Sequence, residues 1–200
     1  MTPLYSEMQL DALAELANIA SGTAATALSQ MLGREVELRV PRALALPLAD
    51  AVDAAGAPDE IVTGIVLQLE GDVDALELLL IKAGDASLLC QMLGVEAGTE
   101  VGDSALSEIG NILGSSYLNA LSAMTGLTLL PSPPTLATDL LGAIVASVLA
   151  QAAGANDVAL VLDSELDLAD QPCSLSFMLL PASGRADELL APLGLAGGGE

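Results

Sequence analysis

The sequence predicts an α+β fold in which two long helices pack together on a six-stranded, mainly antiparallel sheet. Three observations predict it: two long amphipathic helical patterns, strand-like runs after each of them, and repetition of the whole order at an offset of 93 positions. We therefore expect residues 1–200 to form a single domain of two repeats, about 6–94 and 98–193, related by pseudo-twofold symmetry. The tail 194–200 is glycine-rich and is expected to be disordered.

The two long helices are predicted from apolar residues that recur at three- and four-residue spacing. The first runs over about 6–32 and the second over about 98–125, with Gly33 and Gly126 placed to end them. The stripe residues are Leu13, Leu16, Ala20, Ala24, Ala27 and Met31 in the first helix, and Leu106, Ile109, Leu113, Tyr117, Ala120 and Met124 in the second.

The remaining elements follow each long helix in the same order: a short strand, a helix, two strands and a short closing helix. In the first repeat the two strands are separated by Gly71-Asp72, which is typical of a tight hairpin. The predicted ranges are 36–41, 46–54, 61–70, 73–82 and 85–93 in the first repeat, and 127–130, 140–152, 157–166, 173–181 and 186–193 in the second.

The charge balance excludes several partners. With 27 acidic and 5 basic residues the net charge is −22, so nucleic acid and anionic membrane surfaces would repel the chain. Arg34, Arg39 and Arg42 lie close together, and they are either solvated side chains on a strand or a patch that steers a partner. The solvated arrangement is the simpler interpretation.

Histidine is absent, which excludes thiolate–imidazole metal sites and nucleophilic catalysis that depends on histidine. No metal or other cofactor bound by this chain is therefore expected. Cys90 and Cys173 are predicted to be buried as small apolar residues. The longest apolar stretch, 140–155, is too short to span a membrane, and residues 1–7 do not resemble a signal peptide, so we expect a cytoplasmic protein.

Each long helix also carries the same polar set. Aligned at the 93-residue offset, 11 of 31 positions between 11–41 and 104–134 are identical, without a gap. The polar residues of each helix fall within an arc of about 60° opposite the apolar stripe. One such set is common on a solvated helix, but a mid-helix Asn repeated at the same place favours a functional site. The sets are Asp11, Glu15, Asn18 and Pro41, and Ser104, Glu108, Asn111 and Pro134.

The segments 11–29 and 104–121 resemble the two active-site helices of the CheC family of chemotaxis phosphatases. The family pattern is Asp or Ser, three residues, Glu, two residues, Asn, twenty-two residues and Pro, and both copies satisfy it. The resemblance implies hydrolysis of the aspartyl phosphate of the response regulator CheY. It also implies that the Mg²⁺ needed for the reaction is held by CheY.

The resemblance further implies a role for each residue of the two sets. Glu15 and Glu108 would dock against the active-site lysine of CheY, and Asn18 and Asn111 would orient the attacking water. The supporting positions would be Asp11, Pro41, Ser104 and Pro134. A second partner, the receptor deamidase CheD, would bind the helix at 186–193, with Ala186, Asp187 and Leu190 as candidate contacts. Because one chain holds both halves, a monomer is expected.

Two other functions stay open from the sequence. The chain could be a binding module that sequesters CheD or phosphorylated CheY without hydrolysis, or a structural component of the motor switch. The intact Glu and Asn in both copies favour the phosphatase. The second copy matches the family pattern more closely, so we expect its site to be at least as active as the first.

Overall fold

The computed structural model describes residues 7–151, 158–167 and 172–182, together with Glu188 and Ala191. The helices are α1 (Glu7–Leu32), α2 (Leu48–Ala55), α3 (Ala83–Met92), α4 (Glu100–Thr125) and α5 (Leu141–Gln151). The strands are β1 (Glu37–Pro47), β2 (Ile61–Gly71), β3 (Ala75–Lys82), β4 (Leu129–Pro131), β5 (Thr135–Leu140), β6 (Val158–Asp167) and β7 (Pro172–Pro181).

These strands form one sheet in which every pairing is antiparallel, as the sequence predicts. The order is β1-β6-β7-β3-β2, and β4 and β5 both pair with the free edge of β2, one after the other. The predicted number of six strands is wrong, because seven are present in the described part of the chain. Pro133 and Pro134 lack N–H groups and so divide the last position of the sheet between two short strands.

The two long helices have the predicted bounds within two residues. Both end at a glycine in the left-handed region, Gly33 with φ 66° and Gly126 with φ 74°, where other residues are disfavoured. The strand predicted over 36–41 instead continues to Pro47, because its ladder with β6 extends that far, and α2 begins only after it. The closing helix predicted at 186–193 and the tail at 194–200 fall outside the described residues, except for Glu188 and Ala191.

The sheet has a helical layer on each face. The layer of α1, α3 and α4 encloses the larger apolar core, and α2 and α5 enclose the smaller core on the opposite face. Most of the predicted stripe is buried, but Met124 is exposed, because it lies in the last turn of α4 beyond the sheet contact. Ala27, Met31 and Ala120 are half-buried.

Close approach of α4 to the sheet depends on two glycines. A Cβ atom on Gly110 would lie 2.7 Å from a methyl group of Ile65 on β2. A Cβ atom on Gly114 would lie 2.6 Å from Oε2 of Glu77 on β3. A larger residue at either position would move the helix away from the sheet.

Both cysteines are buried free thiols, as predicted. Burial, and then the nearby Asp85 carboxylate, raise the pKa of the Cys173 thiol to about 12, so it is not a reactive thiolate near neutral pH. None of the described helices is both long enough and apolar enough to cross a lipid bilayer.

A small polar cluster lies between the helices and the sheet. The hydroxyl of Tyr117 on α4 is 3.5 Å from the hydroxyl of Ser21 on α1 and 3.2 Å from that of Ser164 on β6. The ring of Tyr117 also packs on Phe177 of β7, with centroids 4.5 Å apart. This side chain therefore joins both long helices to the centre of the sheet.

Glu77 lies in the same region and is the one buried carboxylate among the described residues. Its Oε2 atom has no hydrogen-bond partner, and burial raises the pKa of Glu77 well above the ordinary value of 4.5. The neutral acid is therefore favoured in the folded protein over a range in which an exposed glutamate is ionised.

Replacing Glu77 by Gln is expected to remove a pH-dependent loss of stability. The folded state holds the Glu77 proton more tightly than the unfolded chain does, so the free energy of unfolding falls as the pH rises above 4.5 towards the raised pKa. The slope for one proton is at most about 1.4 kcal/mol per pH unit. We expect Glu77→Gln to gain stability relative to the wild type as the pH rises.

Urea denaturation between about pH 5 and pH 8 measures this difference. Glu70→Gln, at an exposed position of the neighbouring strand β2, is the control for the loss of one charge. Parallel pH profiles for the wild type and Glu77→Gln would show that Glu77 ionises in the folded state as it does in the unfolded chain.

Candidate functional site

The polar set of each long helix lies on the side away from the sheet. Glu15, Asn18 and Glu108 are exposed and Asn111 is half-buried. Asp11 and Ser104, one turn earlier on each helix, are also exposed. Fully buried residues alternate with them along both helices, among them Leu16, Ala17 and Ala20 in α1, and Leu106, Ile109 and Leu113 in α4. The amphipathic pattern that buries the stripe therefore turns the predicted site residues outward.

Asn18 is held by the backbone of the edge strand β1. The Val40 N–H donates to Oδ1 of Asn18 at 3.1 Å, and Nδ2 of Asn18 donates to the Val40 carbonyl at 3.4 Å. Both polar atoms of the carboxamide are therefore engaged by one residue, and we call this contact the Asn18–Val40 pair. The pair brings the Asn18 side chain to the residue that precedes Pro41.

Val40 lies in a bulge of the edge strand β1. The ladder between β1 and β6 shifts register between Arg39 and Arg42. Val40 and Pro41 therefore lie opposite one residue, Ser164. Asn18 bonds to the backbone N–H and carbonyl of Val40 at this bulge.

The second copy has a bulge at the matching place. The Ser132 hydroxyl accepts from the backbone N–H of Gln68 on β2 at 3.0 Å, and the Ser132 N–H donates to the Gln68 carbonyl at 2.8 Å. Pro133 and Pro134 are thereby left opposite Leu67. The same extra residue is present, but here it separates β4 from β5.

Asn111 is not held in this way. The residue 93 positions after Val40 is Pro133, which has no N–H to donate. Within the described ranges, the Asn111 side chain has no hydrogen-bond partner. The two sites therefore share Glu, Asn and Pro, with Ser104 in place of Asp11, but differ in the state of the carboxamide.

The other predicted residues are placed as follows. Glu15 and Glu108 form no ion pair with any described residue, so their carboxylates are available to a partner. Pro134 is half-buried, and Pro41 lies in β1. The CheD contacts expected at Ala186, Asp187 and Leu190 fall outside the described residues.

Among the three arginines, Arg39 forms an ion pair with Glu37 of the same strand, at the surface. Arg34 is exposed just after the first helix. The exposed ion pair between Arg39 and Glu37 contributes little to stability. Its charge is also partly neutralised, which favours the solvated interpretation over a steering patch.

The predicted catalytic residues lie at exposed or half-buried positions on the surfaces of α1 and α4. A groove of about 350 Å³ lies on the α5 side of the sheet, beside Pro133, and none of the predicted catalytic residues lines it. In the described ranges, no three acidic or thiol side chains come close enough to hold a metal ion. Such a surface suits a reaction in which the labile bond lies in a pocket of the partner.

Sequence analysis missed the importance of Val40 and Pro133. The signal was present in the alignment of the two copies, because the residue before the repeated proline has an N–H in one copy and none in the other. Without coordinates, nothing indicated that the Asn side chain reaches that residue.

Comparison with known proteins gives a consistent family assignment. The model of the CheC-like family matches two segments, residues 8–44 and 101–137, which contain the two polar sets. The CheY-P phosphatase CheC of Bacillus subtilis is 31% identical over 198 residues, which cover 94% of this chain and 95% of that protein.

Two further similarities concern motor-switch proteins. The flagellar motor switch phosphatase FliY of Bacillus subtilis is 30% identical over 136 residues, which cover 64% of this chain and 35% of FliY. The crystal structure of Thermotoga maritima FliY has the same fold, with a TM-score of 0.72, 20% identity and coverage of 94% of this chain and 97% of that one.

The Asn18–Val40 pair predicts different stabilities for two matched variants. Asn18→Ala and Asn111→Ala both replace Asn by Ala near the same position of a long helix, so both gain similar helix propensity. Only Asn18→Ala loses two hydrogen bonds, each worth about 0.5–1.5 kcal/mol net. We expect Asn18→Ala to be less stable than Asn111→Ala by about 1–2 kcal/mol, measured by chemical denaturation. Equal stabilities would mean that the pair contributes nothing to folding.

Proposed function

Because this chain belongs to the CheC-like family, we propose that it is a chemotaxis phosphatase that hydrolyses the aspartyl phosphate of CheY. The observation that carries the proposal is the Glu and Asn pair at the same position of both long helices, directed away from the core. The named function of the Bacillus subtilis relative supports the same activity.

The proposed chemistry needs little from the protein beyond positioning. An aspartyl phosphate is a reactive acyl phosphate, and its hydrolysis requires a water aligned with the phosphorus–oxygen bond that breaks. A carboxamide can donate to a phosphoryl oxygen and accept from the attacking water at the same time. Asn18 and Asn111 would supply this group, and no nucleophilic side chain is required.

Docking would be the role of the carboxylates. Glu15 and Glu108 are exposed, one turn before each Asn, and would pair with the active-site lysine of CheY. Ile19 follows Asn18 and is 55% exposed, so it adds apolar contact area beside the first pair. The Mg²⁺ that neutralises the phosphoryl charge would be carried by CheY.

We further propose that the chain is a duplicated unit with two sites. The helices α1 and α4 both contain 26 residues and begin 93 positions apart. The strand order places β1 at one edge of the sheet and β4 with β5 at the other, as a pseudo-twofold arrangement requires. A chain that holds both halves would act as a monomer.

The alternative is a module that binds phosphorylated CheY or CheD without hydrolysis. The shared fold does not distinguish the two functions, since a likeness at 20% identity concerns the fold alone. Under the alternative, a stable complex would form while phosphate release stayed at the spontaneous rate of the regulator. Binding of CheD stays a prediction, because the helix assigned to it falls outside the described residues.

Substitution of the two asparagines tests the proposed roles. Losing one preorganised group that orients the reaction costs on the order of 10²-fold in rate. We expect Asn18→Ala and Asn111→Ala each to lower hydrolysis of phosphorylated CheY, with at least as large a loss from Asn111→Ala. The double variant should leave only the spontaneous rate. The measurement is phosphate release with catalytic amounts of the protein.

Asn119→Ala provides a matched control, since Asn119 is exposed on α4 but lies outside the polar set. It should keep wild-type activity. Full activity in the double variant would show that the carboxamides are not the water-orienting groups, and a stoichiometric complex without hydrolysis would favour the binding module.

A further inference from the structure

The two proposed sites differ in one backbone atom that lies outside the polar sets. The Val40 N–H holds the Asn18 carboxamide, whereas Pro133, at the matching position of the second copy, has no N–H to donate. We infer that the residue before the repeated proline sets the activity of each site, so that Asn111 is ready to act and Asn18 acts only after it leaves Val40. This inference rests on the proposed function, since it concerns the same carboxamides.

The Asn18–Val40 pair occupies the atoms that the reaction would use. Oδ1, which would accept from the attacking water, already accepts from the Val40 N–H at 3.1 Å. Nδ2, which would donate to a phosphoryl oxygen, donates to the Val40 carbonyl at 3.4 Å. One lone pair of Oδ1 and one hydrogen of Nδ2 stay available, but the pair with Val40 fixes the direction of both, so we expect the carboxamide to turn before it meets the partner.

Turning the Asn18 carboxamide breaks its hydrogen bonds to Val40. The Val40 N–H donates to Asn18, so release of Asn18 removes this bond from a backbone group at the bulge. A phosphoryl group can compensate, because hydrogen bonds to a charged acceptor are stronger than those to a neutral carbonyl. The first site is therefore expected to work at a reduced rate, set by the fraction of Asn18 that is free.

The second site lacks this competing contact. Pro133 has no N–H, and it is exposed opposite Leu67, so the chain of the second bulge presents no donor to Asn111. The carboxamide keeps its donors and acceptor for the partner. The difference between the two sites therefore lies in a backbone N–H, and it does not depend on how the four Glu and Asn side chains are placed.

Reciprocal exchange of the two residues tests the inference, with one site inactivated in each arm. In an Asn111→Ala background only the first site can work, and we expect Val40→Pro to raise its rate of CheY dephosphorylation roughly 10-fold. In an Asn18→Ala background only the second site can work, and we expect Pro133→Val to lower its rate by a similar factor.

Stability controls accompany both arms. Val40 is buried, so Val40→Pro is checked for folding by circular dichroism and thermal denaturation. Pro133 is exposed, so Pro133→Val should fold and decides the question if Val40→Pro does not. Unchanged rates in the arm or arms that fold would overturn the inference. A lower rate after Val40→Pro in a folded protein would also overturn it, since Val40 would then be positioning Asn18 for reaction.

Hydrogen exchange at the Val40 amide separates failure of the inference from failure of the proposed function. The amide should be protected in the wild type and should exchange faster in Asn18→Ala, whatever the protein hydrolyses. Equal exchange in both would overturn the Asn18–Val40 pair in solution. Normal protection in the wild type with no hydrolysis by any variant would overturn the proposed function, and with it the control of activity inferred here.

Discussion

The side-by-side packing of α1 and α4 on one face of the sheet is the constraint on which the site depends. Gly110 and Gly114 let α4 approach β2 and β3 closely, so that α4 lies in the same layer as α1. The hydroxyl of Tyr117 then joins the two helices through Ser21. Once the apolar stripes are fixed in this layer, the opposite faces of both helices can only point to solvent. Presentation of the Glu and Asn residues thus follows from core packing.

The edge strands add a second constraint, which acts on the asparagines and not on the glutamates. A bulge leaves backbone groups unpaired, and buried or half-buried groups of this kind need partners. In the first copy Asn18 is such a partner, so one side chain serves both the fold and the proposed reaction. In the second copy the two successive prolines Pro133 and Pro134 have no N–H groups that need partners, and they divide the strand into β4 and β5.

Periodicity and glycine placement were sufficient to predict the long helices, the hairpin and the exposed polar sets, because each depends on local pattern and burial. Thr135–Leu140 was missed as a strand, since its side chains are mostly exposed and show no apolar alternation. Glu77 was missed as well, although a single glutamate within the apolar run 75–81 was a signal of a buried carboxyl. The Asn18–Val40 pair could not be predicted, because it joins residues 22 positions apart through a bulge.

The buried residues near the two bulges also differ between the first and second copies. Ser164 lies opposite the first bulge and bonds to Tyr117, whereas Leu67 lies opposite the second and pairs with Glu77. The helix position that holds Ser21 in α1 holds a glycine in α4, and Glu77 fills the space beside it. The buried polar groups therefore differ between the copies. Beside the first bulge they are the hydroxyls of Ser164 and Tyr117, and beside the second it is the Glu77 carboxyl, whose raised pKa favours the neutral acid. The two surfaces present the same Glu and Asn side chains, with Asp11 on one and Ser104 on the other, on backbones that are anchored differently, so the shared residues alone do not imply equal function.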